Sequence, residues 1–344
     1  MKNIKLFETE AEYAAYEDNL DLPNVSHVRE SGNNYFHPYE RDYSREYLTY
    51  EVLEDGLMAK MVQVQGENVP SAYTVSYSLN GGEWLELPDV DLENPDPSTF
   101  IPVSEGDIVR FKGNNNAMAN YIDDSNMSNC MIAFSDSTML QMIRVNVYGN
   151  IMSMLYGDDF INQDSFPNGS SYNFLGFFMM QKVIDASNLI LPVTALTIGC
   201  YYYMFINCNL LVNAPELPAT TLAENCYRLM FEWCDHLTTA PALPATTLAN
   251  GCYSDMFCYC LKLTTAPELP ATTLANSCYM GMFYACSSLN YIKCLATDIS
   301  ATGCTSSWVS GVAASGTFVK SPNMSSWTTG VGGIPNGWTV VDAS

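Results

Sequence analysis

Twelve cysteines and three histidines are the side chains of this 344-residue chain with the most obvious capacity for chemistry. Thiols can pair as disulfides, bind soft metals, or act as nucleophiles once ionised. Spacing decides among these roles. Cys200, Cys226, Cys252, Cys278 and Cys304 stand 26 residues apart, and Cys208, Cys234, Cys260 and Cys286 keep the same step. The Cys-x7-Cys interval inside each unit matches no zinc spacing. Equivalent positions of a repeat stack on one another, so the simplest expectation is columns of free thiols packed as small apolar groups in a core. The histidines, His27, His37 and His236, form no pair at helical spacing, which leaves out an HExxH zinc site.

Other constellations are equally incomplete. Asp89-Val90-Asp91-Leu92-Glu93 begins like a calcium loop, but Asn94 stands where glycine is required and Pro95 follows. The carboxylate pairs Asp123-Asp124 and Asp158-Asp159 are sequence neighbours, whereas glycosidase carboxylates come from separate segments. Neither a GxxxxGK[ST] loop nor a nucleophile elbow is present, and Gly330-Val331-Gly332-Gly333 reads as a cap loop. The expectation is therefore no catalytic residue, no metal and no cofactor.

Charge narrows the partners. The chain carries 37 acidic and 14 basic residues, a net charge of −23. Such a surface repels nucleic acid and anionic lipid, so neither nucleic-acid binding nor membrane insertion is expected. No apolar run is long enough for a transmembrane helix, and the opening residues lack a signal h-region, so neither an anchor nor a Sec route is expected.

The elements that must position these residues fall into four segments. Residues 1–41 read as a small β-α-β module: a strand over Ile4–Phe7, a helix over Glu10–Asn19 opened by a Thr9/Glu12 capping box, and a strand over Val25–Arg29. Residues 42–150 read as a β-sandwich, with alternating strands near Leu48–Val52, Val75–Leu79, Trp84–Leu87, Ile108–Lys112 and Ile143–Tyr148. Asn114–Asn129, rich in Asn and Ser, reads as a long exposed loop. Residues 151–304 hold the 26-residue repeats, and 305–344, with Trp308, Phe318, Trp327 and Trp338, read as an aromatic cap. The repeat pattern is expected to fail after Cys304.

Placed on an α-helix, the pattern Cys-Tyr-x-x-Met-Phe-x-x-Cys-x-x-Leu puts every fixed residue inside an arc of about 140°. Thr221, Thr247 and Thr273 would be the N-caps. The inward set is Cys200, Cys208, Cys226, Cys234, Cys252, Cys260, Cys278 and Cys286, with Met230, Phe231, Met256, Phe257, Met282 and Phe283. The outward set changes from copy to copy: Tyr202, Tyr203, Asn207, Arg228, Glu232, Trp233, His236, Tyr259, Lys262 and Tyr284. Aromatic residues with a polar tip suit binding surfaces. The Ala-Pro-x-Leu-Pro stretch between helices would be extended, with one or two bridge pairs near Leu237-Thr238-Thr239.

The fold class expected is thus mixed α+β: a small β-α-β module, a β-sandwich, and a solenoid of 26-residue repeats with a C-terminal cap. The core motif, Met204-Phe205…Cys208, Met230-Phe231…Cys234…Leu237, Met256-Phe257…Cys260…Leu263 and Met282-Phe283…Cys286…Leu289, resembles that of the BspA-like leucine-rich-repeat surface proteins, which implies a leucine-rich-repeat-like solenoid. The opening KLFETEAEYAAYED, residues 146–153 (NVYGNIMS) and the Trp327–Trp338 ending are similar to segments of structural proteins of crAss-like phages of gut Bacteroidetes.

The resemblance implies a non-enzymatic virion protein, of head or tail fibre, on the particle surface. It would be a homo-oligomer held to other virion proteins through its N-terminal region, with the repeats facing a host glycan or protein. A bacterial cell-surface adhesin is the alternative, and a glycan-cleaving fibre enzyme the third.

Overall fold

The computed structural model describes residues 27–29, 36–38, 42–65, 72–90, 96–123, 125–138, 141–325 and 327–344. The expected strand Ile4–Phe7, the helix Glu10–Asn19 and residues 91–95 of the acidic loop lie outside them. Within the N-terminal segment, β1 (His27–Arg29) pairs antiparallel with β2 (Phe36–Pro38).

Two sheets face each other over the first core. One is four-stranded, β7 (Ile101–Val103), β4 (Gly56–Gln65), β10 (Asn126–Ser135) and β9 (Ala119–Asp123), in that order. The other is six-stranded, in the order β12 (Lys182–Ile190), β11 (Arg144–Asn150), β3 (Leu48–Val52), β8 (Ile108–Lys112), β5 (Ser76–Leu79) and β6 (Leu85–Glu86). Tyr50 of β3 lies flat on Phe134 of β10, ring centroids 4.8 Å apart, which ties the sheets together. The stretch 114–129 is not the loop its polarity suggests. It contains β9 and the start of β10, and β10 pairs with β4 from Met127 to Ser135. Asn120, Asn126, Ser128 and Asn129 sit on these strands, and Ser128 and Asn129 are buried. Tertiary packing overrides their turn preference.

The repeats follow directly from this sandwich. β12 runs parallel to β11 and passes its free edge to the first coils, with Val212 N–H donating to Ile184 C=O and Ala186 N–H to Asn213 C=O. One hydrophobic core runs without a break from Tyr47 to Trp338, across the expected boundaries at 150 and 304.

The α+β class with a helical leucine-rich-repeat solenoid is overturned. The molecule is predominantly β, and its single α-helix among the described residues, α1 (Ser153–Tyr156), has four residues. None of the Cys-Tyr-x-x-Met-Phe-x-x-Cys segments is helical. Thr221 and Thr273 are consequently not N-caps: each lies in a parallel bridge, with Ala195 and Asp298 respectively, and Thr247 caps no helix either.

Backbone accounting explains what replaces the helix. In each coil, alternate residues take a local bond three residues back, as Cys200 to Thr197, Tyr202 to Gly199, Met204 to Tyr201, Ile206 to Tyr203 and Cys208 to Phe205. The residues between them donate to the next coil: Gly199 to Glu224, Tyr201 to Cys226, Tyr203 to Arg228, Phe205 to Met230 and Asn207 to Glu232. The same two sets recur in every coil from Tyr172 to Ala285. Each peptide group is satisfied, half within its coil and half along the stack.

This weave needs a left-handed residue at every fourth position. Tyr172/Gly176/Met180, Gly199/Tyr203/Asn207, Asn225/Leu229/Trp233, Gly251/Asp255/Tyr259, Ser277/Gly281/Ala285 and Gly303/Ser307/Gly311 all have positive φ. The turns therefore continue past Cys304, through Gly311, instead of stopping there.

The Pro-rich halves carry only isolated bridges, among them Asn213 with Thr239 and Thr265 with Tyr291. The far end is closed by a parallel sheet of β13 (Tyr291–Cys294), β14 (Thr317–Lys320) and β15 (Thr339–Asp342). Trp308, fully buried, lies between Tyr279 and Trp327 and donates its indole N–H to Gly333 C=O. Among the described residues no helix is long and apolar enough to cross a membrane.

Candidate functional site: the outer face of the turn ladder

The four-residue turn divides each coil into an inner and an outer side. Cys, Tyr, Met, Phe and Cys of each repeat point inward, and Cys200, Cys208, Cys226, Cys234, Cys252, Cys260, Cys278, Cys286, Met230, Phe231, Met256, Phe257, Met282 and Phe283 are all fully buried. Rings stack coil on coil: Tyr201, Tyr227, Tyr253 and Tyr279 in one column, Phe178, Phe205, Phe231, Phe257 and Phe283 in another.

All twelve cysteines are free and buried. The second thiol column has a specific role. Cys208, Cys234, Cys260 and Cys286 donate S–H to the carbonyls of Phe178, Phe205, Phe231 and Phe257 at 3.0, 3.3, 3.2 and 2.9 Å. All four carbonyls already accept a backbone N–H from their own coil, so the thiol fills the second lone pair. Burial pushes the Cys286 thiol up to about 12, far from the ionised form that metals and electrophiles need. Among the described residues no cluster of three His, Cys, Asp or Glu is placed to hold a metal ion.

The outer side forms three columns, at the left-handed positions and the residues just before them. The structure divides the expected outward residues into four groups. Tyr202 is only 5% exposed: it stacks on Tyr203 at 4.0 Å, and Tyr121 of β9 comes within 6.5 Å. With Ala119, Leu175 and Leu229 these rings form a small second core, so the sandwich covers the outer face of the first coils. Arg228 lies at the border, its guanidinium 5.5 Å above the Tyr202 ring.

The third group is an aromatic column. Trp233, 39% exposed, lies flat on half-buried Tyr259 at 3.8 Å and 6°, and Tyr284, 38% exposed, meets Tyr259 edge-on at 5.7 Å. Asn207 stands exposed in the coil before Trp233. His236 and Lys262 make up the fourth group. They fall after the last turn of their coils, outside the columns, and the His236 ring bonds Asn209 C=O at 2.7 Å.

Two carboxylates, Glu232 and Asp255, come together beside the aromatic column. Burial, then the charge of Asp255, holds the Glu232 carboxyl above its ordinary range, while Arg228 opposes the shift. Burial likewise raises Asp255, although Ser254 Oγ–H donates to it at 2.7 Å. Asp255 is not among the outward residues named from the sequence, although it falls on the outer side of a helical wheel, and nothing on that wheel pairs it with Glu232 one coil away. Its side chain lies over Gly281, where a Cβ would stand 1.9 Å from its Oδ1. Glycine one coil on from a polar left-handed residue was the available signal.

A groove with a mixed polar and apolar lining, Met280 included, runs across three coils at the first outer column. Glu224, Asn225, Arg228, Asn250, Asn276 and Ser277 line it, and its cavity is about 290 Å³. Comparison of the chain with protein-family models, curated proteins and solved structures found no match to any of them.

Proposed function

We propose that this chain is a non-enzymatic attachment protein whose open outer face, from Asn225 to Ala285, holds a partner. One observation carries the reading. Tyr203, Leu229, Trp233 and Tyr259 occupy left-handed positions where the same columns elsewhere hold Gly, Asn, Asp, Ser or Ala, apart from Met180 in the first coil. A bulky side chain costs of order 1–3 kcal/mol in that conformation. Tyr203 and Leu229 lie against the sandwich, which accounts for them. Trp233 and Tyr259 face solvent, so the strain is kept for something the molecule meets from outside.

The setting remains that of the resemblance: a virion surface of a gut Bacteroidetes phage, with the N-terminal region toward other particle proteins. Purified full-length chain should then bind cells of gut Bacteroidetes, and the Trp233→Ala, Tyr259→Ala variant should not, while its circular dichroism stays unchanged. Mass spectrometry of purified particles should find the chain. Absence from particles removes the virion setting, and equal binding by the variant removes the attachment face.

A glycan-cleaving reading draws on Glu232 and Asp255, whose carboxyls burial raises together. New reducing ends released from bound polysaccharide, and lost in Glu232→Gln, would favour it over simple attachment.

A further inference from the structure

We propose that the groove across the third to fifth coils is a subsite for an uncharged oligosaccharide, an inference that rests on the attachment reading above. The groove holds about 290 Å³, the low end of ligand pockets and enough for a short saccharide segment. Its lining is the first argument. Asn225, Asn250 and Asn276 offer amides that both donate and accept, Glu224 only accepts, and Arg228 only donates. A sugar hydroxyl is both donor and acceptor, so a row of hydroxyls matches these amides, and the C–H face of a sugar ring matches Met280, which also lines the groove.

Availability of these groups is the second argument. The Asn250 and Glu224 side chains are exposed, and among the described residues Arg228 Nε is buried without a hydrogen-bond partner, its guanidinium over the Tyr202 ring. Burying them under a ligand that failed to bond them would be expensive. Asn276 is different: its Oδ1 accepts from Thr302 N–H at 3.0 Å, which fixes the amide and leaves its NH₂ to point elsewhere.

Charge is the third. Arg228 and Glu224 balance within the groove, Glu232 and Asp255 stand beside Arg228, and the chain as a whole carries −23. Uronate, sialylated or sulfated sugars would approach against that field. The exposed Trp233 edge of the aromatic column continues the same open face, giving a longer chain apolar contact beyond the groove.

The test uses the full-length chain on a printed array of neutral hexose and N-acetylhexosamine oligosaccharides, with sialylated, sulfated and uronic-acid oligosaccharides alongside. Retention by neutral members is expected. Asn250→Ala should weaken it about tenfold, in line with one or two lost hydrogen bonds to a buried ligand. Arg228→Lys keeps the charge but loses the planar fork that lies over the Tyr202 ring, and should weaken it similarly. Thermal unfolding of both variants should match the parent.

Retention only by acidic members, no retention by any neutral member, or neutral binding indifferent to both variants overturns the proposal. Cell binding that survives periodate but not protease treatment would also overturn it, while leaving the attachment reading intact. Loss of all cell binding by the unmodified chain would remove both.

Discussion

The inner and outer sides of the turn ladder share one backbone and differ in everything else. On the inside, Tyr227, Tyr253 and Tyr279, or Phe231, Phe257 and Phe283, repeat without change and stack at 5.7–6.1 Å. On the outside the corresponding column reads Asn207, Trp233, Tyr259 and Ala285. Identical hydrogen bonds are made on both sides, so backbone pairing does not dictate the side chains. Packing does. A ring that must lie on the same ring above and below has one solution, whereas an outer residue has only to tolerate positive φ and its neighbour one coil away. Gly, Asn, Asp and Ser tolerate it at little strain. Where Trp233 and Tyr259 replace them in the open, local stability is not the reason.

The largest expected effect lies inside. Phe231→Ala removes one ring from a column held between Phe205 and Phe257, and should cost about 3–5 kcal/mol in chemical denaturation. Cys252→Leu should cost roughly 1–3 kcal/mol, because a fully buried thiol has no room for a branched side chain. The native protein should leave its twelve thiols unmodified by a disulfide reagent under conditions that label all of them after unfolding. Fast labelling of the native state would mean that the stack opens.

The smaller effects lie outside. Asp255→Asn should stabilise the fold at neutral pH. Burial raises the carboxyl in the folded state, so its ionisation opposes folding above that raised value. As pH falls through the folded value the parent gains stability, and the difference from the variant should vanish below the ordinary value of 3.8. Unfolding curves at a series of pH values check the sign: a gap that widens on acidification would contradict the assignment. Trp233→Gly should be nearly neutral. It forfeits about 0.5–1.5 kcal/mol of stacking on Tyr259 and gives the unfolded chain more freedom, which together offset the roughly 1–3 kcal/mol of left-handed strain it relieves.

The sequence made the period, the inward residues and the capping tryptophans legible, but not the backbone that carries them. Positions i, i+1, i+4, i+5 and i+8 lie on one side of an α-helix at 100° per residue, and on one side of a four-residue turn as well. Over the nine residues from Cys200 to Cys208 the two are nearly degenerate. The distinguishing signal lies just before each cysteine, where Gly199, Asn225, Gly251, Ser277 and Gly303 mark positive φ and weaken a helix. The candidate site was legible to the extent that it lies on outer columns of single coils, as with Trp233 and Tyr259. Tyr202 was misplaced because β9 of the sandwich folds over it. The groove from Asn225 to Asn276 joins residues 25 or 26 apart, a relation that exists only once the coils are stacked.

The separation of the two sides can be measured on a single protein carrying Trp233→Gly and Tyr259→Gly. Its melting temperature and its binding to gut Bacteroidetes cells would be read together against the parent. The account predicts a melting temperature within a few degrees of the parent, since about 1 kcal/mol moves a domain of this size by no more, and binding lost. A protein that melts far lower yet binds as well as the parent would show that these rings serve the fold and that the partner is met elsewhere.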